Sequence, residues 1–169
     1  MAVVTWLHLV ALTFWLGGIF VNAAVLEPSM GAISPAERGK FMGAFIKRFA
    51  PLAWGSVVVV VITGFILADR MGGFVTLVGS GTRYGNLMLI KHILAAVLIA
   101  NGAYLSLVLG RKMASFAAPP AAAAETGSGK ENQPAGPPPE LLRLQKRMSA
   151  MSWVQVVLAL AILFVMGLL

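Results

Sequence analysis

Residues 2–26 read AVVTWLHLVALTFWLGGIFVNAAVL, a run without a single Lys, Arg, Asp or Glu. About 20 mostly apolar residues are enough to cross the ~30 Å hydrocarbon of a bilayer as a helix. Three further stretches have the same character: Pro51 to Ala68, Asn86 to Leu109 and Ala150 to Leu169. None alternates as a barrel strand would, and backbone groups in lipid must bond within their own segment, so each is expected to be a helix. The fold class expected is all-α: a polytopic membrane four-helix bundle. Met1 to Leu7 carries no Lys or Arg, and the apolar run exceeds a typical signal-peptide core, so the first stretch is read as a retained span.

The 169-residue composition agrees, with 59% hydrophobic and 11% charged residues and a mean hydropathy of +0.86. Soluble domains carry about 25% charged residues. The net charge of +7 falls mainly in the connections between apolar runs, so it is assigned to the membrane surface and not to nucleic acid. With no cysteine there can be no disulfide, thiolate metal site or cysteine nucleophile.

Outside the spans, Ser34-Pro35-Ala36-Glu37 has the form of a capping box with proline at the first helical position. Behind it, Phe41, Phe45 and Phe49 recur every fourth residue beside Arg38, Lys40, Lys47 and Arg48. This is the pattern of an interfacial helix over about 35–49, bending near Pro51, or of a plain extension of the second span. The expected organisation is residues 1–110 for three spans with that helix, 111–139 for a flexible cytoplasmic Pro/Ala-rich linker, and 140–169 for the fourth span. The first and third connections together hold ten Lys and Arg, whereas the second holds only Arg70 and Arg83. The positive-inside rule then places both termini outside.

Ionisable groups within a span are costly and mark functional candidates. Here they are His8, Lys91 and His92. Counted from the outer ends of their spans, all three lie roughly 8–9 Å deep. His8 shares a stripe with Leu12, Trp15, Ile19 and Asn22. Lys91 and His92 lie about 100° apart, so they cannot both face one partner; an inward Asn101 would turn Lys91 inward as well. Asn22, Asn101 and Gln155 fall in the cytoplasmic third and are read as interhelical hydrogen-bonding groups. Met71 and Met88 lie on the outer side, where thioether and imidazole together suit Cu(I). No nucleophile–base pair, Walker loop, dinucleotide fingerprint or carboxylate pair occurs, so no catalytic residue is named.

The run Arg48-Phe49-Ala50-Pro51-Leu52-Ala53 leading to Val61-Ile62-Thr63-Gly64, and the segment Thr82-Arg83-Tyr84-Gly85-Asn86-Leu87-Met88-Leu89-Ile90-Lys91, resemble the copper-resistance-D (CopD) family of bacterial membrane proteins. Trp6-Leu7-His8 with Trp15-Leu16-Gly17-Gly18 resembles the preceding span of that family. The resemblance covers roughly residues 1–110, and the fourth span joins it by hydrophobicity alone. Four spans with His8 in the first and Lys91 in the third also resemble the small membrane protoporphyrinogen oxidases of haem synthesis.

Three expectations follow. The first is a copper-handling protein of the bacterial inner membrane, acting in homeostasis or import, with His8, Met88 and His92 as metal ligands. The second is a redox protein binding haem b, with His8 as axial ligand and Lys91 as second ligand or propionate partner. The third is a structural or assembly subunit. The expected surroundings are the lipid bilayer and either a membrane-protein partner or further copies of the chain.

Overall fold

The computed structural model describes residues 1–70, 81–117 and 139–169. All regular structure among the described residues is helical, and four helices are long and apolar enough to span a membrane. They are α1 (Ala2–Ala32), α2 (Pro35–Arg70), α3 (Arg83–Met113, continuing helically to Ala117) and α4 (Pro139–Gly167). At 1.5 Å per residue each is more than 40 Å long, against ~30 Å of hydrocarbon. The excess lies at the end of the bundle that carries the basic connections. Met71 and the bulk of the Pro/Ala-rich stretch lie outside the described residues.

The expected interfacial helix and the second span form one helix, α2, which runs unbroken from Pro35 to Arg70 with Pro51 inside it. Proline at that position removes the bond to the Lys47 carbonyl and sets its ring against that carbonyl. The phenyl stack continues up to it, with Phe41 and Phe45 centroids 6.4 Å apart and Phe45 and Phe49 centroids 4.9 Å apart. The start of α2 departs from a reciprocal capping box. The Ser34 hydroxyl donates to the Glu37 carboxylate at 2.6 Å, while the Ser34 carbonyl accepts from the Glu37 and Arg38 amides. Arg38 then ties the turn together, its guanidinium donating to the Ile33 carbonyl at 2.7 Å and the Gly31 carbonyl at 3.3 Å. At the other end of the bundle, Thr82 caps α3, its hydroxyl accepting from the Gly85 amide at 3.1 Å.

The principal helix contacts run α2–α1–α4–α3, with α1 and α4 at the centre. The shared core draws on all four: Trp15, Leu16, Ile19 and Ala23 from α1, Val57 from α2, Leu98 from α3, and Val156, Ala159 and Ile162 from α4. Close approach of α1 to α2 is made at Gly18, where a Cβ would meet the Phe49 ring at 2.9 Å. Large apolar side chains such as Trp6, Phe14, Val58, Ile93, Val157 and Phe164 face outward. In water that surface would be untenable, whereas lipid covers it without cost.

Two stretches leave α geometry. Asn22–Leu26 in α1 and Tyr104–Leu109 in α3 are π-helical, both towards the basic end of the bundle. Nearby, α3 and α4 are joined by polar contacts. Asn101 Nδ2 donates to the Met151 carbonyl at 3.1 Å, and the Arg147 guanidinium lies 5.5 Å from the Tyr104 ring centroid. Gly102 leaves room for Gln155, whose Nε2 is 3.0 Å from where a Cβ would stand.

Candidate functional site

The polar site lies at the opposite end of the bundle from the basic connections. His8 sits one residue beyond the apolar turn that begins α1, on the stripe that continues through Leu12, Trp15 and Ile19. Trp15 and Ile19 are buried and Leu12 packs against the core. The stripe therefore turns the imidazole inward, where it is partly buried between helices. Its cross-helix partner is on α2: His8 Nδ1 and Thr63 Oγ1 are hydrogen-bonded at 2.8 Å. Thr63 is itself buried, and its hydroxyl donates to the Val59 carbonyl at 2.5 Å. Gly64, next in sequence, lies beside the ring, and a Cβ there would stand in ordinary contact with His8 Cε1 at 3.5 Å.

Lys91 lies on α3, and its side chain is half-buried. Asn101, nearly three turns further along α3 and about 80° round from Lys91, bonds to α4, which places Lys91 on the side of α3 nearer the bundle. His92, one residue on, is exposed, and its Nδ1–H donates to the Met88 carbonyl of its own helix at 2.6 Å. Met88 is buried against the bundle. The three candidate copper ligands thus divide. His8 is held between helices, Met88 is buried on α3, and His92 is turned back onto its own helix.

Among the described residues, no three His, Cys, Asp or Glu side chains gather closely enough to hold a metal ion. A copper ion at His8 would complete its shell with donors of other kinds, such as thioether or hydroxyl. The amides in the basic half are engaged in helix packing and offer no soft donor for a continuous path across the membrane.

Thr63 is the residue that the sequence reading did not single out. It lies about five residues from the outer end of its span, roughly 8 Å deep, the same level as His8 and Lys91. Counting depth for hydroxyls as well as for ionisable groups identifies it.

A helical membrane protein with four spans among its described residues, one imidazole held between the first two and a half-buried lysine on the third, is the class that fold and site define. The family model for Copper resistance protein D matches residues 43–169, and the chain belongs to that family. The match takes in the fourth span, which in the sequence reading joined only by hydrophobicity, and begins after the first span. Thr63, Met88 and Lys91 therefore fall inside the matched region and His8 before it. No curated protein and no solved structure matches the chain. Membership makes this a copper-resistance-related membrane protein with several spans.

Proposed function

We propose that the protein handles copper ions as cargo at the bacterial inner membrane, in homeostasis or import, and that His8 is the residue that takes the ion. The observation that carries this reading is the His8–Thr63 bond between α1 and α2 at 2.8 Å. Of the three candidate ligands, His8 alone is positioned by a side chain from another helix. An imidazole in hydrocarbon requires a partner, and one ring nitrogen has it, which leaves the other for a ligand. The test is copper content by elemental analysis, on cells and on the purified protein. The unmutated protein should bind copper(I), and His8→Ala should lower the affinity at least about ten-fold, since a lost ligand costs no less than a lost supporting bond. Unchanged binding in His8→Ala would remove His8 from the role.

A second reading rests on Lys91. Lys91 is half-buried at the depth counted for His8, and an ammonium at that level suits a ligand that brings its own carboxylates. Haem b is such a ligand, with His8 as axial ligand and Lys91 as propionate partner. The absorption spectrum of the purified protein separates the two readings. A Soret band that His8→Ala bleaches or shifts supports haem, and a colourless protein carrying copper supports the first reading.

A further inference from the structure

We infer that Thr63 fixes the tautomer of His8, holding the proton on Nδ1 and leaving Nε2 as the nitrogen that binds. The inference rests on the reading of His8 as the ligand only for its consequence, since the tautomer itself is a property of the unliganded protein.

A threonine hydroxyl has one hydrogen to donate and lone pairs to accept with. Thr63 Oγ1 lies 2.5 Å from the Val59 carbonyl and 3.3 Å from the Val60 carbonyl of its own helix. A carbonyl can only accept, so the hydroxyl hydrogen is committed to that side. Towards His8 Nδ1, at 2.8 Å, the same oxygen must therefore accept, and the ring must donate. In a neutral imidazole only one nitrogen carries a hydrogen, so Nδ1–H leaves a lone pair on Nε2.

The arrangement matches the rule for ligating histidines, in which the nitrogen away from the ligand donates to an oxygen that fixes ring orientation and raises basicity. Here that oxygen comes from a different span. The His8 ring is thereby held to the position of α2. His92 provides a contrast in the same chain. Its Nδ1–H donates to the Met88 carbonyl at 2.6 Å, a backbone group that no side-chain substitution removes. The Thr63 oxygen can be removed and restored one atom at a time, which makes Thr63 a positioning residue open to test.

The measurement is the nitrogen-15 spectrum of the full-length protein, labelled at its two histidines and free of metal, with His92→Gln used to assign the signals. In the unmutated protein His8 should show a protonated Nδ1 and an unprotonated Nε2. Thr63→Val, which keeps the shape and removes the acceptor, should shift His8 towards the Nε2–H tautomer and leave the His92 signals in place. Thr63→Ser should restore the original pattern. In a parallel copper(I) titration, Thr63→Val should bind about ten-fold more weakly and Thr63→Ser like the unmutated protein. An Nε2–H tautomer for His8 in the unmutated protein overturns the inference, and so does a pattern that Thr63→Val leaves unchanged. If the unmutated protein binds no copper, the ligand reading fails while the nitrogen spectrum still decides the tautomer.

Discussion

Replacing Gly18 by valine should destabilise the bundle, whereas the same change at the neighbouring Gly17 should not. At Gly18 a new Cβ would stand 2.9 Å from both Cε2 and Cζ of Phe49. Comfortable carbon–carbon contact is about 3.5–4.0 Å, so the ring must retreat by roughly 0.6–1.1 Å. Phe49 has limited freedom to do so, because it stacks on Phe45 at a centroid distance of 4.9 Å. Beyond Phe45 and Arg48 lies an open groove of about 370 Å³, so part of the displacement can be absorbed by the whole stack moving outward. Overpacking of this kind costs about 1–3 kcal/mol, and the expectation is the middle of that range. Around Gly17 nothing lies within 4 Å, so its new methyls enter open space. The assay is loss of helical circular dichroism against temperature in detergent for both variants, followed by a double-mutant cycle with Phe49→Leu. The shorter side chain should relieve the clash and give a coupling energy of about 1 kcal/mol or more. Equal losses at Gly17 and Gly18, or a Gly18→Val penalty that Phe49→Leu leaves intact, would refute the close approach of α1 and α2 at this point.

Two further outcomes are expected. Asn101→Ala removes the donor to the Met151 carbonyl and should cost about 0.6 kcal/mol in the same assay, the usual size for a hydrogen bond between membrane helices; a loss several times larger would mean that Asn101 supports more than this contact. Arg143→Cys should be protected from an impermeant thiol reagent in intact cells and Arg83→Cys labelled, because the basic connections belong inside and no native cysteine interferes. The reverse pattern would invert the topology and put the His8 site on the cytoplasmic face.

The spans were legible because hydrocarbon thickness sets a length and the chain supplies four apolar runs that meet it. The inward stripe of α1 was legible for a similar reason, since helical periodicity alone brings His8 into line with the buried Trp15 and Ile19. Helix ends followed local chemistry less closely. The fragment Ser34-Pro35-Ala36-Glu37 promised reciprocal side-chain-to-amide bonds, yet Ser34 and Glu37 bond to each other, and it is Arg38 that closes the turn. Pro51 lies inside a helix that continues on both sides of it, since the loss of one hydrogen bond does not end a helix that its neighbours propagate. At the site, periodicity could say that His8 faces inward and not which helix it meets. That pairing depends on the packing order α2–α1–α4–α3, which four nearly featureless apolar runs do not specify. Thr63 was overlooked because a threonine in a span is most simply explained by bonding back to its own helix. It does so, at the Val59 carbonyl, and its remaining lone pairs meet His8 as well.

The π-helical segments at Asn22–Leu26 and Tyr104–Leu109 bear on how this chain can vary in length. A π segment is one surplus residue taken up as a widened turn, in place of a rotation of everything beyond it. Each residue added to or removed from a regular helix rotates the following part by about 100°. Losing one residue within Asn22–Leu26 would let α1 close into regular geometry while His8, Trp15 and Ile19 kept their places. The same loss earlier in α1 would swing His8 away from Thr63. Single-residue gaps between related chains should therefore be tolerated at these two turns and excluded from the stretch between His8 and Ile19. Both turns lie on the basic side, so the bundle can be re-fitted there without disturbing the histidine at the other end.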